Sequence, residues 1–184
     1  LFSGDFASFE MAVLLAQSRF CDSPIDALPC GQCRSCRLIA EKDFSDVKVI
    51  EPEGQMIKTA TIRDLLREFS SSGFEGQSQV FIIRDADKMH TNAANSLLKF
   101  IEEPQSDTYM ILLTQDESRI LPTIKSRTQI FYFPKNRAYL IQQLEQEGLL
   151  KSQAEILADL SKDPTQAKEF AQNNKLLDLL KACE

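Results

Sequence analysis

Several features that place a chain in a particular class are missing from this sequence. No apolar run is long enough to cross a bilayer, which takes about 20 mostly apolar residues in a helix. The chain has 21 Lys and Arg against 27 Asp and Glu, and this net charge of −6 disfavours bulk attraction to DNA. Its single histidine, His90, is expected to cap a helix or lie at the surface rather than to bind a metal. The content of 43% hydrophobic and 26% charged residues is typical of an ordinary globular protein.

The clearest chemical signal that is present comes from cysteines early in the chain. Four of them follow the spacing C-x8-C-x2-C-x2-C: Cys21, Cys30, Cys33 and Cys36. Each C-x2-C step lets one metal ion hold two thiolates, and the distant Cys21 can close the fourth corner of a tetrahedron. Zinc favours four sulfur ligands in this geometry, and four protein ligands leave no open position for water. The spacing therefore predicts a structural zinc knuckle at 21–36.

Other uses of these cysteines stay open at the level of sequence. Four thiolates also hold iron–sulfur clusters. Disulfides would suit a secreted protein, although no signal peptide is visible. Buried apolar cysteines would bind nothing, but the polar residues that alternate with these cysteines are not typical of a core. Free thiols beside a metal site favour a reducing, cytoplasmic location. A fifth cysteine, Cys183, is expected to be an ordinary free thiol.

Strand and helix patterns alternate through the first part of the chain. Leu1–Gly4 is typical of the end of a buried strand followed by a turn. Helical spacing of apolar residues is found from Phe9 to Phe20 and at roughly 61–71 and 92–103, and further strand patterns are found at Asp46–Glu51, Val80–Ile83, Tyr109–Thr114 and Gln129–Phe133. Such alternation predicts an α/β fold with a doubly wound parallel sheet. Strand patterns end near Pro134, and short amphipathic helices follow. We therefore expect an α/β domain over 1–134, with the knuckle as an insertion, and a small helical domain over 135–184.

The turn after the first strand invites comparison with a phosphate-binding P-loop, G-x4-G-K-[ST]. In the window Gly4–Met11 the first glycine is kept, but Phe9, Glu10 and Met11 replace the second glycine, the lysine and the magnesium-binding hydroxyl. The ring of Phe9 would obstruct a phosphate and the carboxylate of Glu10 would repel one. The segment is therefore either a P-loop that no longer binds nucleotide or a plain strand–turn–helix.

A second segment favours the first of these interpretations. Many ATPases of the AAA+ type end a buried strand with Asp-Glu-Ala-Asp, which supplies a magnesium-binding Asp and a catalytic Glu. This chain has Arg84, Asp85, Ala86 and Asp87 in that place. A cation at the position of the magnesium ligand opposes catalysis. Both halves of the phosphate site are therefore altered together.

Further motifs resemble subunits of bacterial clamp loaders. Asn95–Pro104 resembles the helix that follows this strand in the family, and Thr114 matches its phosphate-sensing polar residue. Leu121–Arg127 contains the family's Ser-Arg pair, with Thr128 in place of the usual Cys. The four-cysteine insertion also matches. Over roughly residues 1–170 the chain thus resembles the delta-prime family of DNA polymerase III clamp-loader subunits, whereas the related gamma/tau subunits keep a working P-loop.

This resemblance implies a non-catalytic subunit in DNA replication, with a small helical lid after the AAA+ domain. In the family the Ser-Arg pair, here Ser126 and Arg127, offers an arginine finger to the ATP site of a neighbouring subunit. The knuckle would hold structural Zn²⁺, and this chain itself would bind no ATP. The implied partners are gamma/tau and delta subunits, with the sliding clamp and primed DNA reached through the assembled complex. Gln166 loosely matches a lid arginine of catalytic members. Because the chain begins with Leu1, we expect an excised piece, and the family's collar domain is expected beyond it.

Three alternatives stay open. An active ATPase of the gamma/tau type with a degenerate P-loop would still bind nucleotide. A zinc module that binds nucleic acid would use the basic stretch of Arg34, Arg37 and Lys42, which is otherwise a solvated surface. Arg127 considered without the resemblance would be expected to cap a helix or to pair with a local acid.

Overall fold

A computed structural model of the protein describes residues 1–4, 6–71, 78–103, 107–161 and 164–173. The strands in these ranges are β1 (Phe2–Ser3), β2 (Val47–Ile50), β3 (Gln79–Ile83), β4 (Thr108–Thr114) and β5 (Phe131–Tyr132). The helices are α1 (Ser8–Phe20), α2 (Arg34–Ala40), α3 (Thr59–Ser71), α4 (Thr91–Glu102), α5 (Pro122–Lys125), α6 (Arg137–Gln146), α7 (Lys151–Leu160) and α8 (Pro164–Gln172). The predictions made for Pro104 and Cys183 fall outside the described residues.

The strands form one parallel sheet in the order β2-β3-β4-β1-β5. Every residue of β3 is buried, as expected for a central strand that is covered on both faces. The register places Ile83 opposite Ile50 on one side and opposite Leu112 on the other. Parallel neighbours require crossover connections, and the helices between the strands supply them. The predicted α/β fold with a parallel sheet is therefore confirmed.

The main hydrophobic core joins the sheet to the helices α3 and α4. Phe81, Ile83 and Leu97 are fully buried in it. Phe81 also meets Phe100 of α4 edge to face, with ring centroids 5.9 Å apart. Full burial of one such side chain contributes about 1.5–3 kcal/mol, so this contact surface fixes α4 firmly on the sheet.

The chain divides into two compact units, Leu1–Gly4 with Ser8–Tyr132, and Asp5–Ala7 with Phe133–Glu184. In the second unit the helices α6, α7 and α8 surround a small apolar core that includes Leu140, Leu144 and Leu157. An ion pair between Arg137 and Asp159, 2.6 Å apart, joins α6 to α7 at the surface. Among the described helices, none combines the length and the apolar character that spanning a membrane requires.

Candidate functional site

The four cysteines of the predicted knuckle come together in the structure. Cys21 directly follows α1, Cys33 caps the N-terminus of α2, and Cys36 lies in the first turn of that helix. One Sγ atom from each of these three and from Cys30 lies within 4.8 Å of all the others. A tetrahedron with zinc–sulfur bonds of about 2.3 Å has sulfur–sulfur edges of roughly 3.8 Å, so a small contraction would fit this set around one ion. The predicted ligand cluster is therefore present.

Backbone N–H groups point at three of the sulfur atoms. Cys30 N donates to Cys21 Sγ at 3.3 Å, Cys33 N donates to Cys30 Sγ at 3.3 Å, and Cys36 N donates to Cys33 Sγ at 3.4 Å. N–H donors favour the thiolate, which is the form that binds a metal. None of the four cysteines is in a disulfide. The segment thus has the electrostatics of a metal knuckle rather than that of an oxidised loop.

The protonation of these thiols also fits a metal site. Hydrogen bonds from the backbone of Gln32 and Cys33 lower the pKa of Cys30 to about 6. Burial, reinforced by the neighbouring Cys33 and Cys21, raises the pKa of Cys36 to about 12. Four adjacent thiolates cannot all form unless a cation compensates their charge. The donor set is therefore suited to a divalent ion that releases protons as it binds.

Sequence reasoning missed the tight turn inside the knuckle. Ile25 and Leu28 exchange two backbone hydrogen bonds of 2.9 Å, and the two residues between them have positive φ, 49° at Asp26 and 65° at Ala27. Positive φ at both central residues is the geometry of a type I′ turn, for which Asp-Gly or Asn-Gly is usual. The Asp-Ala pair carries no such signal, and for this reason the turn was not predicted.

A different cluster occupies the position of the altered phosphate site. The guanidinium carbon of Arg84 lies 4.4 Å from the centre of the Phe9 ring, and Lys42 Nζ lies 5.3 Å from it. Glu51 Oε1 pairs with both cations, at 2.6 Å from Lys42 Nζ and 3.0 Å from Arg84 Nη1. The hydrogen bond from Lys42 is the main cause that lowers the pKa of Glu51 below its ordinary value. We call these four residues the Phe9 cluster.

Of the residues that replace P-loop positions, only Phe9 enters this cluster. Glu10 and Met11 are both exposed on α1. Gly4 has a positive φ of 113°, and its N–H donates to Thr114 O at 2.9 Å. Phe9, in contact with two cations, is therefore the substituted residue that takes part in the local packing.

Further polar groups at this sheet edge, among the described residues, are bonded to one another. Asp87 is 9% exposed and accepts hydrogen bonds from Thr114 Oγ1 at 2.9 Å and from Gln115 N at 3.3 Å. Asp85, in a left-handed conformation with φ 49°, pairs with Lys88 at 3.1 Å. The hydroxyl predicted to match a phosphate sensor is thus committed to an internal hydrogen bond.

Arg127 lies two residues after the end of α5, on a firmly anchored piece of backbone. Its N–H donates to the carbonyl of Ile124 at 3.0 Å, and Ile124 is only 1% exposed. The side chain is 41% exposed, and its Nε lies 2.7 Å from Glu102 Oε1. Its Nη1 donates to Thr123 O at 3.1 Å and to Ser126 Oγ at 3.3 Å. Arg127 therefore has the acidic partner that was expected without the family resemblance, and its guanidinium is nevertheless accessible to solvent.

Two other residues from the sequence analysis lie elsewhere. Gln166 is half-buried on α8 of the second unit. Arg34 and Arg37 are exposed on α2 beside the cysteine cluster. His90 caps α4, and its Nδ1 accepts from Asn92 N at 3.3 Å, which confirms the predicted capping role.

The fold and the altered site define the class as an α/β domain of the AAA+ type. A crystal structure of a DNA polymerase III gamma subunit-related protein from Thermotoga maritima has a similar fold, and the similarity covers 99% of this chain and 56% of that chain. The TM-score is 0.62 and the sequence identity is 24%. A family model described as DNA polymerase III, delta subunit, matches residues 1–137, and the chain belongs to that family. The predicted family resemblance is confirmed.

Curated relatives agree with this assignment. The DNA polymerase III subunit delta′ of Bacillus subtilis is 38% identical over 170 residues, which cover 92% of this chain and 51% of that protein. A DNA polymerase III subunit gamma/tau of Mycobacterium tuberculosis is 34% identical over 152 residues, or 78% of this chain and 26% of that protein. The chain thus spans about half the length of its delta′ relative in Bacillus.

Proposed function

We propose that this chain is a non-catalytic clamp-loader subunit of the DNA polymerase III complex. In this proposal it binds no ATP, and it offers Arg127 to the ATP site of a neighbouring subunit. Its partners would be gamma/tau and delta subunits, and the assembled complex would act on the sliding clamp and primed DNA. Family membership and the similarity to delta′ subunits support this assignment.

The single observation that carries the non-catalytic role is the Phe9 cluster. A P-loop binds phosphate through backbone N–H groups brought close by glycine and through a free lysine. Here an aromatic ring stands at the glycine position, and the two nearby cations contact that ring and share the carboxylate of Glu51. A triphosphate would have to displace the ring and break both ion pairs. It would also meet Arg84 where a carboxylate should hold magnesium.

The second element of the proposal is the arginine finger. Phosphoryl transfer spreads negative charge over the γ-phosphate oxygens, and a planar guanidinium stays charged and offers paired N–H donors. Arg127 has a rigid backbone and an exposed side chain, which suits contact with a group outside this chain. Ser126 supports it, because the Ser126 hydroxyl accepts from Nη1 and itself donates to Thr123 O at 3.1 Å.

The third element is structural zinc at Cys21, Cys30, Cys33 and Cys36. When bound, Zn²⁺ would link the end of α1 to the start of α2, and with four thiolate ligands it would hold no reactive water. Its contribution would be folding free energy. α2 ends two residues before Lys42, so the knuckle would also support one side of the Phe9 cluster.

The test is reconstitution of the full-length protein with gamma/tau-type and delta subunits, followed by measurement of DNA-stimulated ATP turnover. An arginine finger given in trans is worth roughly 10³–10⁵ in rate at its own site. Arg127→Ala should therefore abolish turnover at one site and lower the total rate, while the complex still assembles. Arg119→Ala is the matched control, because it removes the same charge from an exposed neighbouring position.

Two results would contradict the proposal. An unchanged rate in a fully assembled Arg127→Ala complex would remove the finger role. Saturable ATP binding by the isolated protein at micromolar concentration would remove the non-catalytic role and favour an ATPase of the gamma/tau type.

A further inference from the structure

We propose that Glu102 is a positioning residue that orients the Arg127 guanidinium for its action in trans. This inference rests on the proposed function, because it concerns the same finger. It starts from the 2.7 Å contact between Glu102 Oε1 and Arg127 Nε, which joins the end of α4 to the segment after α5.

The contacts that the described residues make with Arg127 leave one edge of its guanidinium open. The group has five N–H donors, one on Nε and two on each terminal nitrogen. Glu102 Oε1 forms an ion pair with Nε at 2.7 Å, while Thr123 O and Ser126 Oγ accept from Nη1. Among the residues that the structure describes, none accepts from Nη2. Within the described part of the chain, both donors on Nη2 are therefore open, on a guanidinium that is held by contacts at Nε and Nη1.

The position of Glu102 is unfavourable for its own helix. It is the last residue of α4, and a carboxylate at a helix C-terminus is disfavoured by the helix dipole. Helix stability therefore does not account for an acid at this place. The contact with Arg127 accounts for it, because the guanidinium compensates the negative charge of the Glu102 carboxylate.

Both partners are carried by rigid elements. Leu97 and Ala94 anchor α4 in the main core, and Ile124 anchors the segment that precedes Arg127. A long arginine side chain on a fixed backbone still has several rotatable bonds, and restricting them requires a contact at its head group. Glu102 makes that contact from a separate fixed element, so it selects one direction for the free Nη2 edge.

A purely structural ion pair would behave differently from a positioning one. Both side chains are nearly half exposed, and such pairs contribute little to stability. Removing Glu102 should therefore leave folding and assembly almost unchanged. It should instead reduce the fraction of time in which Arg127 points correctly, which lowers the rate of the chemical step at the neighbouring site.

The experiment compares four reconstituted complexes by DNA-stimulated ATP turnover: Glu102→Ala, Arg127→Ala, the double variant, and Glu103→Ala as the control. Glu103 is the adjacent exposed acid. We expect Glu102→Ala to lower kcat about three- to tenfold with little change in KM, since this residue does not touch nucleotide. The double variant should match Arg127→Ala alone. Glu102→Gln should keep most of the rate, because its side-chain oxygen can occupy the same position beside Nε.

Each outcome decides the matter. A Glu102→Ala complex as active as wild type, or more active, would overturn the positioning role, provided that Arg127→Ala still lowers turnover. An equal loss from Glu102→Ala in the presence and absence of Arg127 would also overturn it. If Arg127→Ala has no effect, the proposed function itself fails and this inference fails with it.

Discussion

The energetic link between Phe9 and Arg84 is the most direct test of the altered phosphate site. Arg84 contacts the face of the Phe9 ring and pairs with Glu51, and its side chain is 42% exposed. A cation–π contact at such an exposed site is worth about 0.5–1 kcal/mol. An exposed ion pair is worth about 0.2–1 kcal/mol, because solvent screens it. Arg84→Met, which keeps the aliphatic stem, should therefore lower the free energy of unfolding by about 1–2 kcal/mol.

A double-mutant cycle separates the two contributions. Phe9→Leu keeps apolar bulk and removes the ring, so the cycle of Phe9→Leu with Arg84→Met isolates their contact. We expect a coupling energy of about 0.5–1 kcal/mol, measured by urea unfolding with zinc held constant. At the size of this chain, the single Arg84→Met change should lower Tm by about 2–8 °C.

The matched control is Phe9→Leu combined with Arg63→Met. Arg63 is exposed on α3 and outside the Phe9 cluster. That cycle should give no coupling energy beyond the experimental error. If the Phe9–Arg84 cycle also gives none, the ring and the guanidinium do not interact in solution. The proposed exclusion of phosphate by this pair would then be refuted.

Two further predictions concern pH and the metal. Because the folded-state pKa of Glu51 lies below the ordinary Glu value of about 4.3, its ion pairs stabilise the fold above that value and are lost as pH falls through the folded pKa. Glu51→Gln should therefore destabilise the protein at neutral pH and less so in acid, as seen in unfolding midpoints across pH 3–7; a constant difference would contradict this origin. Cys36→Ala should lose bound zinc and loosen the knuckle, because metal binding and local folding are coupled. Metal content by elemental analysis is the measurement, Ser35→Ala is the control, and stoichiometric zinc in Cys36→Ala would exclude this ligand set.

The parts of the fold that were predictable are those encoded by local pattern. β3 was found because a strand buried on both faces reads as a continuous apolar run. The cysteine cluster was found because ligand spacing in a knuckle is a local property. The Asp26–Ala27 turn was missed because Ala rarely adopts positive φ, so the residues carry no turn signal.

The Phe9 cluster was beyond sequence reasoning because it depends on strand register. Ile50 and Ile83 lie opposite each other in the sheet, and Arg84 N donates to Ile50 O at 2.8 Å. Glu51 and Arg84, which follow Ile50 and Ile83 in the chain, are therefore neighbours as well. A shift of one residue would place these side chains on opposite faces. Such a pairing cannot be read from residues that are 33 positions apart.

The carboxyl ends of parallel strands are where α/β proteins usually bind ligands, because the loops there can converge on one site. In this chain Arg84 and Thr114 stand at the ends of β3 and β4, and both are bonded internally, to Glu51 and to Asp87. The side chains at the positions where magnesium and phosphate would be held are thus bonded within the chain. Arg127, in contrast, has a fixed backbone and two donors on Nη2 that meet no acceptor in the described part of the chain. That difference supports the proposal that this chain assists chemistry at a neighbouring site.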